Sequence, residues 1–387
     1  MHLSKGFNRR RTTDTLNIVI LIILAISASL IYFYRSAPPE HTVKERTFIL
    51  RVTVTYENRG ADIWNLTEED YTIWLFGNNS WQTAYLMDHS LPVKSFRTDA
   101  DGNYIAVLDP QINQLFPNTT WSYDVEYRII TKTRAISDID ERFSLNLTDI
   151  PETSREETRK AEGPWQVNDP EIVNLARKIV GNETKVLTMI KKFVKWINSN
   201  IRYNTRDIPR YPNETLKERL GDCDDQANLL ITFLRIYGVP AYLQMGCIYL
   251  PAKKANETSW DGHLTTILSR IGWHGWAMVY VPPWGWLPVD LTYAPGISTD
   301  PLNAIKNSAI TLQETVQYLN ITKTDYISSS VSLRNFLKKH GFCIYEYDEM
   351  GEESATTLLL ERTRLFTNAC ILAWSFKAYK LNHGEDL

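Results

Sequence analysis

The sequence predicts an α+β protein in which a β-rich N-terminal region precedes a mixed region of helices and strands. Three observations support this fold class. Apolar residues alternate along residues 47–56, as in a half-buried strand. They recur at helical spacing along residues 227–236. Residues 276–281 are rich in β-forming residues, and a Pro-Pro-Trp-Gly turn follows them.

An apolar segment near the N-terminus predicts a membrane anchor. Residues 16–34 carry no charge, and at about 1.5 Å per residue they match a hydrocarbon core of about 30 Å. Lys5 and residues 9–11 are basic and precede the segment, which places the N-terminus in the cytoplasm. We therefore predict a cytoplasmic tail (residues 1–15) and a signal-anchor helix in the bilayer (residues 16–35). A cleaved signal peptide is the alternative, but no clean small-x-small site follows the segment.

The remainder of this single-pass protein is then predicted to lie outside the cell. Eight glycosylation sequons agree with this orientation, because all follow the apolar segment. They begin at Asn65, Asn78, Asn118, Asn146, Asn182, Asn213, Asn256 and Asn320. We accordingly expect an extracellular glycoprotein.

The region before residue 150 reads as a small β-sandwich. Short β-like runs occur at residues 71–76, 104–108 and 121–130, separated by Gly, Asn and Pro turns. Residues 99–103 lack the rest of a calcium loop and read as a hairpin turn. We predict the sandwich over residues 41–150, with the charged residues 151–163 as a linker.

The next region, residues 165–300, is predicted to be the catalytic domain. Residues 301–387 are predicted to form a C-terminal α/β extension. Asp169-Pro170 should start a helix. The following helix has an apolar stripe that should pack beneath residues 223–236; its members are Val186, Ile190, Phe193, Val194 and Ile197.

Cys223 is predicted to be the first residue of an amphipathic helix. Asp222 is a good N-cap, and Asp225 lies at the position that completes a capping box. A helix N-terminus lowers the pKa of a thiol, but it contributes only about 0.3–1 kcal/mol. Each neighbouring aspartate opposes the thiolate by about 1 kcal/mol at 4 Å in water. A nearby imidazolium is therefore required, and without one Cys223 would be an inert or buried cysteine.

His274 and Asp290 are the predicted partners of Cys223. His274 should begin the first strand of a hairpin and Asp290 should end the second, so both come to the same end. Adjacent strands lie about 4.8 Å apart, which suits a carboxylate bonding the far ring nitrogen of the histidine. His263, before residues 264–269, is the alternative base, although no carboxylate lies at a matched distance from it.

These motifs resemble the transglutaminase-like superfamily, which shares the papain-like cysteine-protease core. The resemblance covers roughly residues 170–292, and Tyr203 and Leu216 also fall at family positions. It rests on Gly221-Asp222-Cys223, Gly238-Val239-Pro240-Ala241, His274-Gly275-Trp276 and Gly285-Trp286-Leu287-Pro288-Val289-Asp290. The resemblance implies a papain-like transglutaminase core with Cys223 as nucleophile, His274 as base and Asp290 as the residue that orients the base.

The expected activity is that of a cell-surface cysteine peptidase or amidase acting on a protein or peptide outside the membrane. Two alternatives stay open: a cross-linking transglutaminase and a catalytically inactive surface interaction module. The net charge of −3 gives no basic field for nucleic acid.

We expect neither a cofactor nor a metal site. Zinc favours Cys and His at recognisable spacings, and three adjacent carboxylates are not expected to turn to one ion. Among the remaining cysteines, Cys247 is expected to be buried, and Cys343 and Cys370 are candidates for a disulfide.

Overall fold

The structure is a computed structural model that describes residues 45–134, 138–156 and 162–353. The predicted cytoplasmic tail (residues 1–15), the membrane anchor (residues 16–35) and Cys370 lie outside the described residues, so these stay predictions. Within the described ranges, no helix is both long enough and apolar enough to cross a membrane.

The described chain contains thirteen strands. They are β1 (Glu45–Asn58), β2 (Trp64–Asn65), β3 (Thr72–Trp74), β4 (Gln82–His89), β5 (Val93–Thr98), β6 (Tyr104–Leu108), β7 (Gln114–Leu115), β8 (Thr119–Lys132), β9 (Ala241–Ser259), β10 (Leu264–Val281), β11 (Gly285–Val289), β12 (Thr315–Ile321) and β13 (Phe342–Glu353). The large sheet has the order β12-β9-β10-β13-β1-β8-β4, and β11 pairs with β10. A second sheet has the order β3-β6-β5, and β2 pairs with β7.

The helices lie mostly in the middle of the described chain. They are α1 (Glu152–Glu156), α2 (Pro170–Val180), α3 (Val186–Asn200), α4 (Pro212–Glu218), α5 (Cys223–Ile236), α6 (Asn303–Lys306) and α7 (Tyr326–His340). Asp169 caps α2 by accepting two backbone N–H groups of its first turn, and Pro170 occupies the first helical position, where its missing N–H costs nothing. Helix α5 ends before Gly238, whose φ is +73°. The predicted start at Asp169-Pro170 is confirmed.

Helices α2, α3 and α5 pack on one face of the large sheet. The predicted apolar stripe of α3 is buried in this core. Its Phe193 ring stacks on Phe233 of α5 with the ring centroids 5.0 Å apart. Alternate residues of β10, including Ala277 and Val279, close the core from the sheet side. This packing fixes α5 against β10.

A second apolar core fills the opposite face of the large sheet. Phe48 and Leu50 of β1 are fully buried there, and Ala106 and Leu108 of β6 belong to the same core. Two sheets that enclose an apolar layer make the N-terminal region sandwich-like, as expected. The described chain is thus a mixed α/β fold with α2, α3 and α5 on one side of a sheet, and a small sheet and α7 on the other.

A C-terminal strand joins the two regions that the sequence suggested were separate. β13 pairs antiparallel with β1, from Phe342 opposite Asn58 to Glu353 opposite Thr47. Its other edge pairs in parallel with the first part of β10 over residues 344–349. The N-terminal strands therefore belong to the same sheet as β9 and β10. Strands from all three predicted regions, residues 41–150, 165–300 and 301–387, therefore belong to one sheet.

His274 lies well inside a long strand. β10 runs from Leu264 to Val281 with a bulge at Arg270, whose φ is +60°. The expectation of one strand opening at His263 and another opening at His274 is therefore wrong. A bulge inserts one residue and reverses the alternation of side chains, and this reversal made one strand look like two. The predicted hairpin itself forms, with Ala277 opposite Val289.

Seven of the eight sequon asparagines are exposed in the folded chain; they are Asn65, Asn78, Asn118, Asn146, Asn182, Asn213 and Asn256. Asn320 differs because it is half-buried in β12 and its side-chain oxygen accepts from Gln244 Nε2 at 2.6 Å. That contact competes with glycan attachment at Asn320 after folding.

Replacing Phe193 by alanine should lower the free energy of unfolding by about 3–5 kcal/mol, because the change removes a fully buried ring. Denaturant unfolding measures the loss. Phe96→Ala is the control, since the Phe96 ring is 65% exposed and its loss should cost less than about 0.5 kcal/mol. Equal losses in the two variants would contradict the helical core described above.

Candidate active site

Cys223 opens helix α5, as the capping pattern predicts. Asp222 and Asp225 form a capping box, in which the Asp222 N–H donates to Asp225 Oδ2 at 3.2 Å. The N–H groups of a first helical turn are not used within the helix, and here they surround the thiol. The Cys223 side chain is half-buried, so the sulfur lies at the edge of the core.

His274 and Asp290 lie side by side. His274 Nε2 is 3.1 Å from Asp290 Oδ2, and the two side chains are only 6% and 2% exposed. Neither atom completes a hydrogen bond of good angle, so the ring N–H is not aimed straight at this oxygen. The imidazole and the carboxylate therefore lie at ion-pair distance from each other, and both are buried. The structure thus brings together the two residues that the hairpin argument paired.

Backbone groups hold the Asp290 carboxylate in place. Asp290 Oδ1 accepts the N–H groups of Thr292 at 3.1 Å and Tyr293 at 3.0 Å. Burial raises the Asp290 pKa, but the contact with His274 and these two N–H groups outweigh burial, and the pKa is lowered. Asp290 is thus held as an anion beside the His274 ring.

Gly275 lets the strand that carries His274 approach the start of α5. A Cβ atom on Gly275 would lie 3.2 Å from Asp224 Cβ and 3.2 Å from Met245 Sδ, so a larger residue would push the strand away. The Gly275 N–H interacts with the Cys223 sulfur and favours its thiolate. The thiol therefore lies against the residue that directly follows His274. Within the described chain, the His274 ring makes its ion-pair contact through Nε2.

The surroundings of Cys223 disfavour a free thiolate. Burial raises the Cys223 pKa, and the charges of Asp224 and Asp222 raise it further. The N–H groups of Gly275 and Asp224 act in the opposite direction but do not compensate. Cys223 is consequently a neutral thiol at rest, and it needs a base to react.

Asp225 has a structural partner that the sequence did not reveal. Both oxygens of this fully buried carboxylate contact Arg210, which donates from its backbone N–H at 2.6 Å and from Nη1 at 2.8 Å. Arg210 Nη2 also donates to Asn204 Oδ1 at 2.8 Å. The arginine thereby fixes the loop that leads to α4 beneath the first turn of α5. No local pattern marks Arg210, since it lies in an irregular segment.

Two carboxylates converge on the thiol more closely than we expected. One ligand atom each from Asp222, Cys223 and Asp224 lie within 4.8 Å of one another, the one such group of three in the described ranges. The three adjacent carboxylates do not all turn to one point, as expected, because Asp225 contacts Arg210 instead, whereas Asp222 and Asp224 both reach the sulfur side. Asp222 lies before the helix and Asp224 within it, and this change of backbone direction lets both side chains reach the sulfur side.

Tyrosines flank the proposed pair on two sides. Tyr203 is 61% exposed, and partial burial together with the neighbouring Cys223 and Asp222 raises its pKa to about 12. Tyr293 is partly exposed, and its ring centroid lies 5.9 Å from that of His274. Trp276 is buried and stacks on the His274 ring at 5.7 Å. Trp276 and Tyr293 thus border the His274 ring.

The alternative histidine lies against another part of the chain. His263 Nδ1 contacts the Phe342 carbonyl oxygen at 2.7 Å and the Cys343 sulfur at 3.8 Å. These contacts occupy His263 at the start of β10. Cys247 is buried as expected, and no disulfide joins the cysteines of the described ranges.

The order and geometry of these residues agree with a comparison against protein families. Residues 173–291 match the family described as the transglutaminase-like superfamily. The chain carries a domain of the transglutaminase-like superfamily. This domain contains Cys223, His274 and Asp290, whereas β1, β8 and β13 lie outside the matched residues.

Several solved structures are similar to the chain, at low sequence identity. A Cytophaga hutchinsonii protein named as a candidate cysteine protease has a TM-score of 0.48 and 16% identity, over 80% of this chain and 90% of that chain. The periplasmic domain of TgpA from Pseudomonas aeruginosa, bound to ethylmercury, has a TM-score of 0.32 and 16% identity, over 65% and 91%. Red sea bream transglutaminase has a TM-score of 0.26 and 10% identity, over 64% and 48%. A search of curated proteins finds no match.

Replacing Asp225 by alanine should lower the free energy of unfolding by about 2–3 kcal/mol, because it removes the buried one of the two carboxylates that pair with Arg210 and leaves only the more exposed Glu218. Denaturant unfolding measures this effect. The matched control is Glu126→Ala, which breaks the exposed pair of Arg51 and Glu126 and should cost less than about 1 kcal/mol. A loss at Asp225 no larger than the loss at Glu126 would argue against this buried anchor.

The lowered pKa of Asp290 also predicts how stability changes with pH. An unfolded aspartate titrates near about 3.9, so Asp290 stabilises the folded chain above that pH, and the contribution disappears as the pH falls through the lower folded value. The difference in unfolding free energy between the unmodified chain and Asp290→Asn should therefore shrink as the pH is lowered from 7 towards 3. A difference that stays constant over this range would show that Asp290 is not held as an anion.

Proposed function

We propose that the chain is a thiol-dependent acyl-transfer enzyme, most simply a cysteine peptidase or amidase, in which Cys223, His274 and Asp290 form the catalytic triad. The buried 3.1 Å contact between His274 and Asp290 is the observation that carries the proposal. A structural histidine has no need of a buried anion on one ring nitrogen beside a thiol-bearing helix start.

In the proposed mechanism, His274 Nδ1 takes the proton of Cys223 as the sulfur attacks the carbonyl carbon of a peptide-like amide. The C–S bond forms while the C=O electrons move to oxygen, and the Cys223 N–H is placed to stabilise that oxyanion. Collapse breaks the C–N bond, and the imidazolium returns the proton to the leaving amine. Asp290 holds the ring and its charge throughout.

The second half of the reaction regenerates the thiol. A water molecule or an amine attacks the acyl-thioester, His274 accepts its proton, and the C–S bond breaks. We favour water, which makes the enzyme a hydrolase. A lysine amine as acceptor would make it a cross-linking transglutaminase, which is the second candidate within the superfamily.

The third candidate is an inactive surface module that keeps the fold without the chemistry. The geometry of the site argues against an inactive module, because burying the charges of His274 and Asp290 has a desolvation cost that an inactive fold does not need. Gly275 likewise lets the strand pack closely on Asp224, the residue after the thiol.

We also propose that this site faces the outside of a membrane. The apolar residues 16–34, the basic residues that precede them and the exposed sequons support an outward catalytic region on a single-pass glycoprotein. Its substrates would then be proteins or peptides outside the bilayer, with the bilayer itself as the partner of the N-terminal segment.

Hydrolysis of a peptide library by the purified chain tests the enzymatic proposal. Cys223→Ala and His274→Ala should each abolish turnover, and Asp290→Asn should lower kcat by orders of magnitude because the imidazole loses its orienting anion. Cys343→Ala and His263→Ala are the matched controls and should keep activity. Turnover that survives in Cys223→Ala, or that disappears in the His263→Ala control alone, would contradict the assigned roles.

Adding a primary amine to the same assay separates the two acceptors. Cleaved peptides without incorporated amine identify a hydrolase, whereas amine-bearing products identify the transglutaminase reaction. A chain that folds, as judged by its thermal unfolding, yet gives neither product would favour the inactive module.

A further inference from the structure

Tyr326, from outside the family-matched residues, contacts the carboxylate next to the proposed nucleophile. Its hydroxyl lies 2.7 Å from Asp224 Oδ2 and 2.7 Å from Asn228 Nδ2. Tyr326 is the first residue of α7, and Asp224 and Asn228 lie on successive turns of α5. The extension after the matched residues therefore reaches the first turn of the nucleophile helix.

The two contacts define the direction of the hydrogen bonds. The Asn228 amide nitrogen is a donor, so the Tyr326 oxygen accepts from it. The hydroxyl hydrogen is then free to point at Asp224, whose carboxylate only accepts. A hydrogen bond to an ionised carboxylate is strong and draws negative charge towards the donor.

The segment that carries Tyr326 is itself held at several points. The Asp325 carboxylate, one residue earlier, accepts from the Tyr211 hydroxyl at 2.9 Å. Asp101, in the turn between β5 and β6, accepts the backbone N–H groups of Thr322, Lys323 and Thr324 through a single oxygen. These contacts link the N-terminal region to α7 and leave Tyr326 little freedom to move away from α5.

We propose that Tyr326 is a positioning residue for the thiol of Cys223, acting through the Asp224 carboxylate. Its hydrogen bond directs the Asp224 charge towards α7 and away from the sulfur, which makes the thiolate less costly to form. Asp224 is only 8% exposed, so protein groups rather than bulk solvent surround its carboxylate, and the Tyr326 hydroxyl is the donor that contacts Oδ2. The inference rests on the proposed function, because it concerns the reactivity of the same thiol.

Several other charged or titratable groups face this position from the neighbouring elements. Asp222 and Asp225 come from the start of α5, and Arg210 neutralises Asp225. Tyr203 approaches from the loop before α4, and His274 comes from β10. The raised pKa of Cys223, caused first by burial and next by Asp224, agrees with Asp224 as the strongest local opponent of the thiolate.

The rate of iodoacetamide alkylation of Cys223 as a function of pH tests the proposal. The full chain is used, and the labelled peptide is quantified by mass spectrometry. In Tyr326→Phe the midpoint of the profile should move up by about 0.5 pH, since the full Asp224 charge then acts on the sulfur. In Asp224→Asn the midpoint should move down, and adding Tyr326→Phe to that variant should cause no further change.

Tyr345→Phe is the matched control, because the Tyr345 hydroxyl also bonds a carboxylate, that of Glu57, at 2.8 Å. It should leave the profile unchanged. If Tyr326→Phe fails to fold, Asn228→Ala removes the amide donor that holds the Tyr326 hydroxyl towards Asp224, and it should move the midpoint in the same direction. An unchanged or lowered midpoint in Tyr326→Phe, or an equal shift in the Asp224→Asn background, would overturn the proposal.

This readout does not depend on catalysis. A chain that shows the coupled shifts but hydrolyses no peptide would refute the proposed function while supporting the role of Tyr326. Peptide hydrolysis without coupled shifts would support the proposed function and refute the role of Tyr326.

Discussion

The close approach of helix α5 to strand β10 at Gly275 is the constraint on which the remaining arrangement depends. The thiol begins the helix and the imidazole lies on the strand, so neither element alone can bring them together. Two apolar cores, one on each face of the large sheet, hold the strand in place. The Phe193 and Phe233 rings hold the helix against the first of these cores. The missing Cβ atom of Gly275 supplies the remaining space.

The same approach concentrates negative charge around the proposed nucleophile. Asp222, Asp224 and Asp225 cluster at one helix start, and the surroundings of the three carboxylates differ. Arg210 neutralises Asp225 in a buried ion pair, and Tyr326 donates to Asp224. Asp222 keeps one buried oxygen without a hydrogen-bond partner, and burial together with Asp224 raises its pKa. Such a setting favours a protonated resting thiol, and in the proposed mechanism it makes reaction depend on His274.

Local signals were sufficient to predict much of the site. The cap at Asp222, the helix from Cys223 and the hairpin between β10 and β11 each depend on a few neighbouring residues. The contact between His274 and Asp290 followed from that hairpin. These features were predictable because capping, turn chemistry and periodicity act over one or two helical turns.

Features that depend on distant segments were not predictable in the same way. Strand β13 pairs with β1 from the opposite end of the described chain, and no local pattern specifies that partner. The bulge at Arg270 disguised one long strand as two. Arg210 and Tyr326 act on α5 from separate segments, and each is an ordinary residue in its own neighbourhood. The membrane anchor at residues 16–35 stays a prediction from the sequence.

The most direct test of the central claim is to trap the acyl-enzyme. The chain is mixed briefly with an activated ester, quenched in acid and digested, and the peptide that contains Cys223 is weighed by mass spectrometry. The account predicts an acyl group on Cys223 in the unmodified chain and almost none in His274→Ala. An adduct of equal yield in both proteins, or one found on a different residue, would contradict it.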